Sequence, residues 1–220
     1  MIPNTILFDA YGTLLDVSGP GRRLAEKYGD IANDIGARVR ILQITYSWHS
    51  SMMGRYAPFF DLTRHAVNVA MAEHGFQHEA FLDEFMEGFA QIEAFPDVAE
   101  TLVLLKEQGI NPVILSNGEK RYLERAFSHA GLMEQLSDII TVEEIRIFKP
   151  TMDVYRHAQE KCLVRGFVSS NPWDVTGAST FGFRTFWLNR QNRVFDGLAK
   201  PDDYSMIRSL KDILHHMANS

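Results

Sequence analysis

The chain reads as an α/β protein: a doubly wound, Rossmann-like parallel sheet core with an inserted helical cap domain. Three observations predict this. A short apolar run, Thr5-Ile6-Leu7-Phe8, ends in Asp9 and the turn former Gly12. A regular alternation of helical and strand-like segments begins only at residue 97. Residues 16–95, in between, carry helical periodicity and no convincing strand. Short continuous apolar runs suit strands buried on both faces of a parallel sheet, and strand–helix alternation marks βαβ units. The expected division is 1–15 and 96–220 for the core, 16–95 for the cap.

The elements follow in order. Within the insert, Ile35, Val39, Leu42 and Tyr46 recur at helical spacing, as do Leu62, Ala66 and Val69. Phe81, Phe85 and Phe89 repeat every fourth residue and are read as the cap's own core. After it, Val98, Leu102 and Leu105 mark a helix stopped by Gly109. Val113-Ile114-Leu115 form a strand closed by Ser116-Asn117-Gly118. A helix over 120–130 ends at Gly131, and Ile139-Ile140 begin a short strand. Thr151 to Leu163 is predicted helical, which makes Cys162 a helical, inert thiol. Gly166-Phe167-Val168 lead into Ser169, a helix past Trp173 runs to Gly182, and Thr185–Leu188 is read as the last strand.

Composition bounds the partners. A net charge of −6 with no basic block argues against nucleic acid, although a small anion can still be held by a few local cations. No apolar run reaches the roughly 18 residues that cross a bilayer. No cationic stretch precedes a longer apolar one at the start of the chain, and the one cysteine fits a reducing compartment, so a cytoplasmic protein with no membrane partner is expected. The eight histidines are scattered without a zinc spacing, so they are expected at the surface and no metal site is expected from them.

In open α/β sheets ligands bind at the carboxyl ends of strands. Those ends offer Asp9, then Ser116-Asn117-Gly118, then Lys149, then Ser169, Asn171 and Asp174. A carboxylate, small hydrogen-bonding groups, an ammonium and a second carboxylate converging from separate strands make a site.

The stretches FDAYGTLLD, LSNG, FKP and SSNPWDVTGA, in that order, resemble the haloacid dehalogenase superfamily over nearly the whole chain. Within it the chain resembles the L-2-haloacid dehalogenases, since Arg40, Gln43, Tyr46 and Trp48, followed by Met53 and Arg55-Tyr56, match that subgroup's first cap helix. The resemblance implies hydrolysis of a short L-2-haloacid to a D-2-hydroxy acid and halide, without a cofactor, by a homodimer. Asp9 is then the covalent nucleophile, Lys149 its orienting cation, and Thr13 a hydrogen-bond partner of Asp9 or of its turn. Ser116, Asn117 and Gly118 bind the substrate carboxylate, while Asp174 activates the hydrolytic water with Ser169 and Asn171 placing it. Tyr155 matches a position that tunes the lysine, or is a core tyrosine. Arg40 receives the halide or helps bind the carboxylate. Tyr11, Ile41, Ile44, Phe59 and Trp173 fall at positions lining an apolar substrate pocket, with Ile41 in place of an expected polar residue.

Two other readings compete. A Mg²⁺-dependent phosphatase of the same superfamily needs a second Asp where Tyr11 stands, to protonate an alkoxide, and an acidic residue where Ser170 stands, to hold the metal. A halide leaves as a stable anion and needs neither. A non-catalytic binding protein on this scaffold predicts loss of a strand-end residue, and none is lost.

Overall fold

A computed structural model of the protein describes residues 1–218. Its elements are β1 (Ile2–Phe8), α1 (Gly19–Tyr28), α2 (Ile31–Met52), α3 (Phe59–Glu73), α4 (Phe81–Ala90), α5 (Val98–Glu107), β2 (Asn111–Ser116), α6 (Lys120–His129), β3 (Asp138–Thr141), α7 (Met152–Lys161), β4 (Cys162–Ser169), α8 (Pro172–Phe181), β5 (Thr185–Leu188), β6 (Ser205–Ile207) and α9 (Asp212–Ala218). The strands form one parallel sheet in the order β3-β2-β1-β4-β5-β6. The chain winds outward from β1 in one direction and then from β4 in the other, which opens the ligand crevice at the carboxyl ends of the central strands.

Alternation along β1 divides the core. Ile6 and Phe8 pack with Leu102, Leu105, Leu123, Phe127 and Ile213 from α5, α6 and α9. Leu7 points the other way, into a cluster with Val154, Tyr155, Ala158 and Ala178 of α7 and α8. Both faces are covered, which is why β1 reads as an unbroken apolar run.

Helices α1–α4 fold on a third cluster of their own that includes Ile35, Val39, Leu42, Ala66, Phe81 and Phe85. The chain leaves and re-enters the sheet layer at one place: Asp16 N–H donates to Glu93 O at 2.8 Å and Phe95 N–H to Leu14 O at 3.0 Å. Phe89, expected inside the cap core, reaches further. Its ring meets Tyr11 edge-on at 6.0 Å, so the last aromatic of the stripe packs at the seam between the layers.

Two boundaries differ from the sequence reading. The predicted helix to Leu163 ends at Lys161, and Cys162 is the first residue of β4, extended and fully buried. No glycine marks that switch; the β-prone Cys-Leu-Val run and pairing with Ile2 of β1 decide it. Thr185–Leu188 is not the last strand either. β6 follows, three residues long and paired only with β5, too short for a periodic signal.

Candidate active site

Asp9 stands one residue past β1, its N–H still donating to Val168 O of β4 at 3.0 Å. The turn that follows is tight, with Gly12 at φ +87°, a region where a side chain is strained. This turn brings Thr13 back onto the carboxylate. Oδ2 of Asp9 accepts from Thr13 Oγ1 and from Asn171 Nδ2, both at 2.8 Å, with Ser169 Oγ further off at 3.5 Å. Oδ1 accepts from Lys149 Nζ alone, at 2.9 Å. The two oxygens are therefore unequal. Oδ2 is fixed by small neutral donors, whereas Oδ1 keeps a free lone pair.

Lys149 Nζ is saturated, donating to Asp9 Oδ1 at 2.9 Å, Leu115 O at 3.0 Å and Asp174 Oδ2 at 2.7 Å. Burial works against its charge, but the Asp174 and Asp9 carboxylates outweigh it and hold the ammonium above the ordinary lysine value. Asp174, fully buried, moves up to about 6, because burial and the Asp9 charge outweigh the pull of Lys149. Tyr155 donates to Asp174 Oδ1 at 2.8 Å and has no direct bond to Lys149. The tyrosine expected to tune the lysine touches Asp174 instead, because it rises from α7 beneath α8, on the far side of that carboxylate.

Ser116 Oγ accepts the Gly118 N–H at 3.1 Å, which leaves its hydroxyl proton free to donate. Asn117 Oδ1 accepts the Lys149 N–H at 2.8 Å, while its Nδ2 is buried without a partner. An orphaned buried donor is costly unless a ligand uses it. The close seat of Gly118 against Tyr11 has a sequence reason too: a Cβ there would lie 2.9 Å from the Tyr11 ring.

The cap closes the site from α2. Arg40 donates to Tyr11 O, Asn171 Oδ1 and Gln43 Oε1, each at 3.3 Å, and every one of these acceptors is neutral. Asp9, Tyr11, Arg40, Ile44, Phe59, Ser116, Asn117, Lys149 and Trp173 enclose a chamber of about 10 Å³. Ile41 is not among them. At 58% exposed it lies on the outer face of α2, since Arg40, Gln43 and Ile44 share the inward face at helical spacing and the residue after Arg40 is turned about 100° away. Beyond Trp173 runs a larger apolar groove of about 570 Å³ that Trp48, Phe148 and Pro150 also line.

Asn171 Nδ2 deserves comparison with a cation, because it donates both to Asp9 Oδ2 at 2.8 Å and to Tyr11 O at 3.3 Å. An amide already bridges the two oxygens that a magnesium beside the nucleophile would need. Ser170, where an acidic ligand would stand, donates to Gly12 O at 2.7 Å instead. The residues present do not fit a magnesium ion.

A family model for haloacid dehalogenase-like hydrolases matches residues 3–182. The chain belongs to that family. Among curated relatives, the (S)-2-haloacid dehalogenase 1 of Pseudomonas sp. (strain CBS-3) is 39% identical over 204 residues, covering 90% of this chain and 87% of that protein. A solved dehalogenase structure in an intermediate complex superimposes with a TM-score of 0.91 at 32% identity, covering 97% of this chain and 96% of that one. The L-2-haloacid dehalogenase of Xanthobacter autotrophicus with chloropropionic acid covalently bound gives a TM-score of 0.85 at 28% identity, covering 99% of both chains.

For this hydrolase, sequence reasoning passed over several contributors. The Leu115 carbonyl has no side-chain signal at all. Arg190, which ties Thr13 O at 2.8 Å to Asp97, carried no signal either, while Gln43 entered only through the resemblance of the first cap helix.

Proposed function

We propose that this hydrolase converts short L-2-haloacids to D-2-hydroxy acids and halide through an ester on Asp9. The inequality of the two Asp9 oxygens carries this reading. With Oδ2 pinned, Oδ1 attacks the α-carbon opposite the carbon–halogen bond; the new C–O bond forms as the halide departs with the electron pair, and the centre inverts. Ser116 and the orphaned Asn117 amide bind the substrate carboxylate, and the Arg40 guanidinium, with no carboxylate partner of its own, receives the halide.

Water then attacks the Asp9 carbonyl carbon and gives its proton to Asp174, placed near neutrality for that work. Both Asp174 oxygens are already engaged, yet each keeps a second lone pair. Lys149 stays charged throughout and offsets the negative charge on the tetrahedral intermediate. Cleavage occurs between the carbonyl carbon and Oδ1, and the departing alkoxide takes up the proton that Asp174 received from water, so the hydroxyl oxygen of product comes from Asp9 and the enzyme regains an oxygen from water. Thr13, Ser169 and Asn171 orient the carboxylate; Tyr11, Ile44, Phe59 and Trp173 form the apolar wall.

In this reading 1–15 and 96–220 form the core, of which 219–220 lie outside the described residues, and 16–95 form the cap. The protein works in the cytoplasm as a homodimer, with the outward Ile41, Met52 and Met53 of the cap as the apolar face two copies would share. No helix among the described residues is long and apolar enough to cross a membrane.

The test is a single turnover of L-2-chloropropionate in ¹⁸O water, with and without EDTA. Label in Asp9, unlabelled D-lactate and no effect of chelator are expected. Label in the first product molecule, or activity lost to EDTA and restored by Mg²⁺, would overturn the reading.

A further inference from the structure

Glu119 directly follows the Ser116-Asn117-Gly118 strand end and sits at the start of α6, yet the proposed chemistry does not use it. It is 4% exposed, and no described cation forms an ion pair with it. Its carboxylate reaches across the seam to the cap, where Oε2 and Oε1 accept the backbone N–H of Phe60 at 3.1 and 3.3 Å. Phe60 is the second residue of α3, so this N–H is one of those a helix cannot satisfy internally. The Phe60 ring also stacks on Tyr122 of α6, 3.9 Å between centroids and 9° from parallel. One polar and one aromatic contact thus fasten the first turn of α3 to the core.

That turn leads to the reactive chamber by two paths. Phe59, the residue before, is part of the chamber wall. Its carbonyl accepts from Thr63 Oγ1 at 2.7 Å, Thr63 Oγ1 accepts from Gln43 Nε2 at 2.6 Å, and Gln43 Oε1 accepts from Arg40 Nη1 at 3.3 Å. Gln43 and Thr63 are buried, so the chain is shielded from exchange with water. It runs from a core carboxylate, through one turn of a cap helix, to the cation over the site.

We propose that Glu119 is a positioning residue, the core-side anchor that holds the first turn of α3 and, through Thr63 and Gln43, sets Arg40 over the chamber. The assignment rests on the haloacid reading for its kinetic consequence, though not for the latch itself. What the latch uses is an acceptor oxygen. Burial, reinforced by Glu143, lifts the Glu119 carboxyl above its ordinary value against the pull of its own N–H, the Phe60 N–H and Arg121, so the charge is disfavoured where it stands. A neutral carboxamide keeps the acceptor and should serve.

Three variants decide it: Glu119→Ala, Glu119→Gln and Thr63→Val. Hydrogen–deuterium exchange in the segment around residues 56–63, which needs no turnover, should quicken in Glu119→Ala and stay at the parent rate in Glu119→Gln. With L-2-chloropropionate, Glu119→Ala should raise KM about tenfold with kcat changed far less, as misplaced binding groups do. Glu119→Gln should recover to within about threefold of the parent KM by the same argument. The double variant Glu119→Ala/Thr63→Val should lose no more than the worse single variant, since both break one path. Unchanged exchange in Glu119→Ala, failure of Gln to rescue, or losses that multiply would overturn the latch. If Glu119→Ala does not fold, the Gln and Thr63→Val arms still read KM and exchange. Should the parent enzyme release no halide, the haloacid reading fails while the exchange comparison still decides the latch.

Discussion

The two walls of the chamber are built to different tolerances. On the core side, Thr13, Asn171, Lys149, Asp174 and Tyr155 meet at 2.7–2.9 Å, and the ammonium has all three of its protons placed. On the cap side, Arg40 touches three neutral acceptors, each at 3.3 Å. The difference teaches which half is prepared in advance. In the proposed reaction the core groups orient the attacking carboxylate, and orientation costs least when fixed by the fold. In that proposed reaction the guanidinium keeps its strongest interaction in reserve, for an anion that exists only once the reaction begins. Long, loose contacts before substrate arrives are common for such groups.

The core side should break hardest. Asp9→Asn removes the nucleophile and leaves its neighbours nearly undisturbed, so halide release should fall by roughly 10⁴-fold or more, as when a residue of a unit catalytic group is deleted. Residual turnover above that level would mean that water attacks substrate directly.

A pH profile probes the same wall from the side of Asp174. Its raised value of about 6 means that the carboxylate is charged above that pH and neutral below it. The rate of ester hydrolysis should therefore fall as pH drops through about 6, tenfold per unit once well below. Burst kinetics separate the two steps, because in the proposed mechanism Asp9 forms the ester first and Asp174 acts in its breakdown. An acid limb confined to ester formation would remove Asp174 from the base role.

On the cap side the expected loss is smaller. Arg40→Ala should lower kcat/KM about a hundredfold, the scale of losing a charged group aimed at developing negative charge. Arg40→Lys should recover only part of it, since an ammonium lacks the planar fork that spans several acceptors. Parent rates in Arg40→Ala would dissolve the contrast between the walls.

How much of this was legible beforehand follows the same division. The strand-end residues announced themselves, because a chain turning at the end of a buried strand carries few polar side chains and each has a reason to be there. Residues 9, 116–118, 149, 169, 171 and 174 lie together at these strand ends, but the Gly118 N–H goes to Ser116 Oγ rather than standing free for a substrate, and Ser169 and Asn171 turn to Asp9 itself. The cap was legible only as helices. Helical spacing fixes which residues share a face, not which face meets the core, and that is how Ile41 came to be placed inward by resemblance while α2 turns it out. Glu119 escaped notice because its partner is a backbone N–H of a distant helix, which no motif records. Tyr155 was half legible: the sequence left it open between a core tyrosine and a partner of the lysine, and its bond to Asp174 depends on how α7 lies under α8.

The mildest perturbation concerns the wall between the two cavities. Trp173 faces Lys149 Nζ at 5.9 Å on one side and packs edge-on against Trp48 of the cap, 5.9 Å between ring centroids, on the other. The chamber of about 10 Å³ holds about one water, whereas the groove behind the indole offers about 570 Å³ of largely apolar space. Length of the substrate side chain is then limited by one ring rather than by the chemistry. Trp173→Ala should join the two spaces and raise the kcat/KM ratio of 2-chlorohexanoate over 2-chloropropionate about tenfold, a modest fraction of what burying three extra methylenes at roughly 0.8 kcal/mol each could yield. The effect is small because neither Asp9 nor Arg40 moves; only the room beside them changes. If the ratio stays at the parent value while chloropropionate is still turned over, the groove is not continuous with the reactive chamber, and the length limit must come from Tyr11, Ile44 or Phe59 instead.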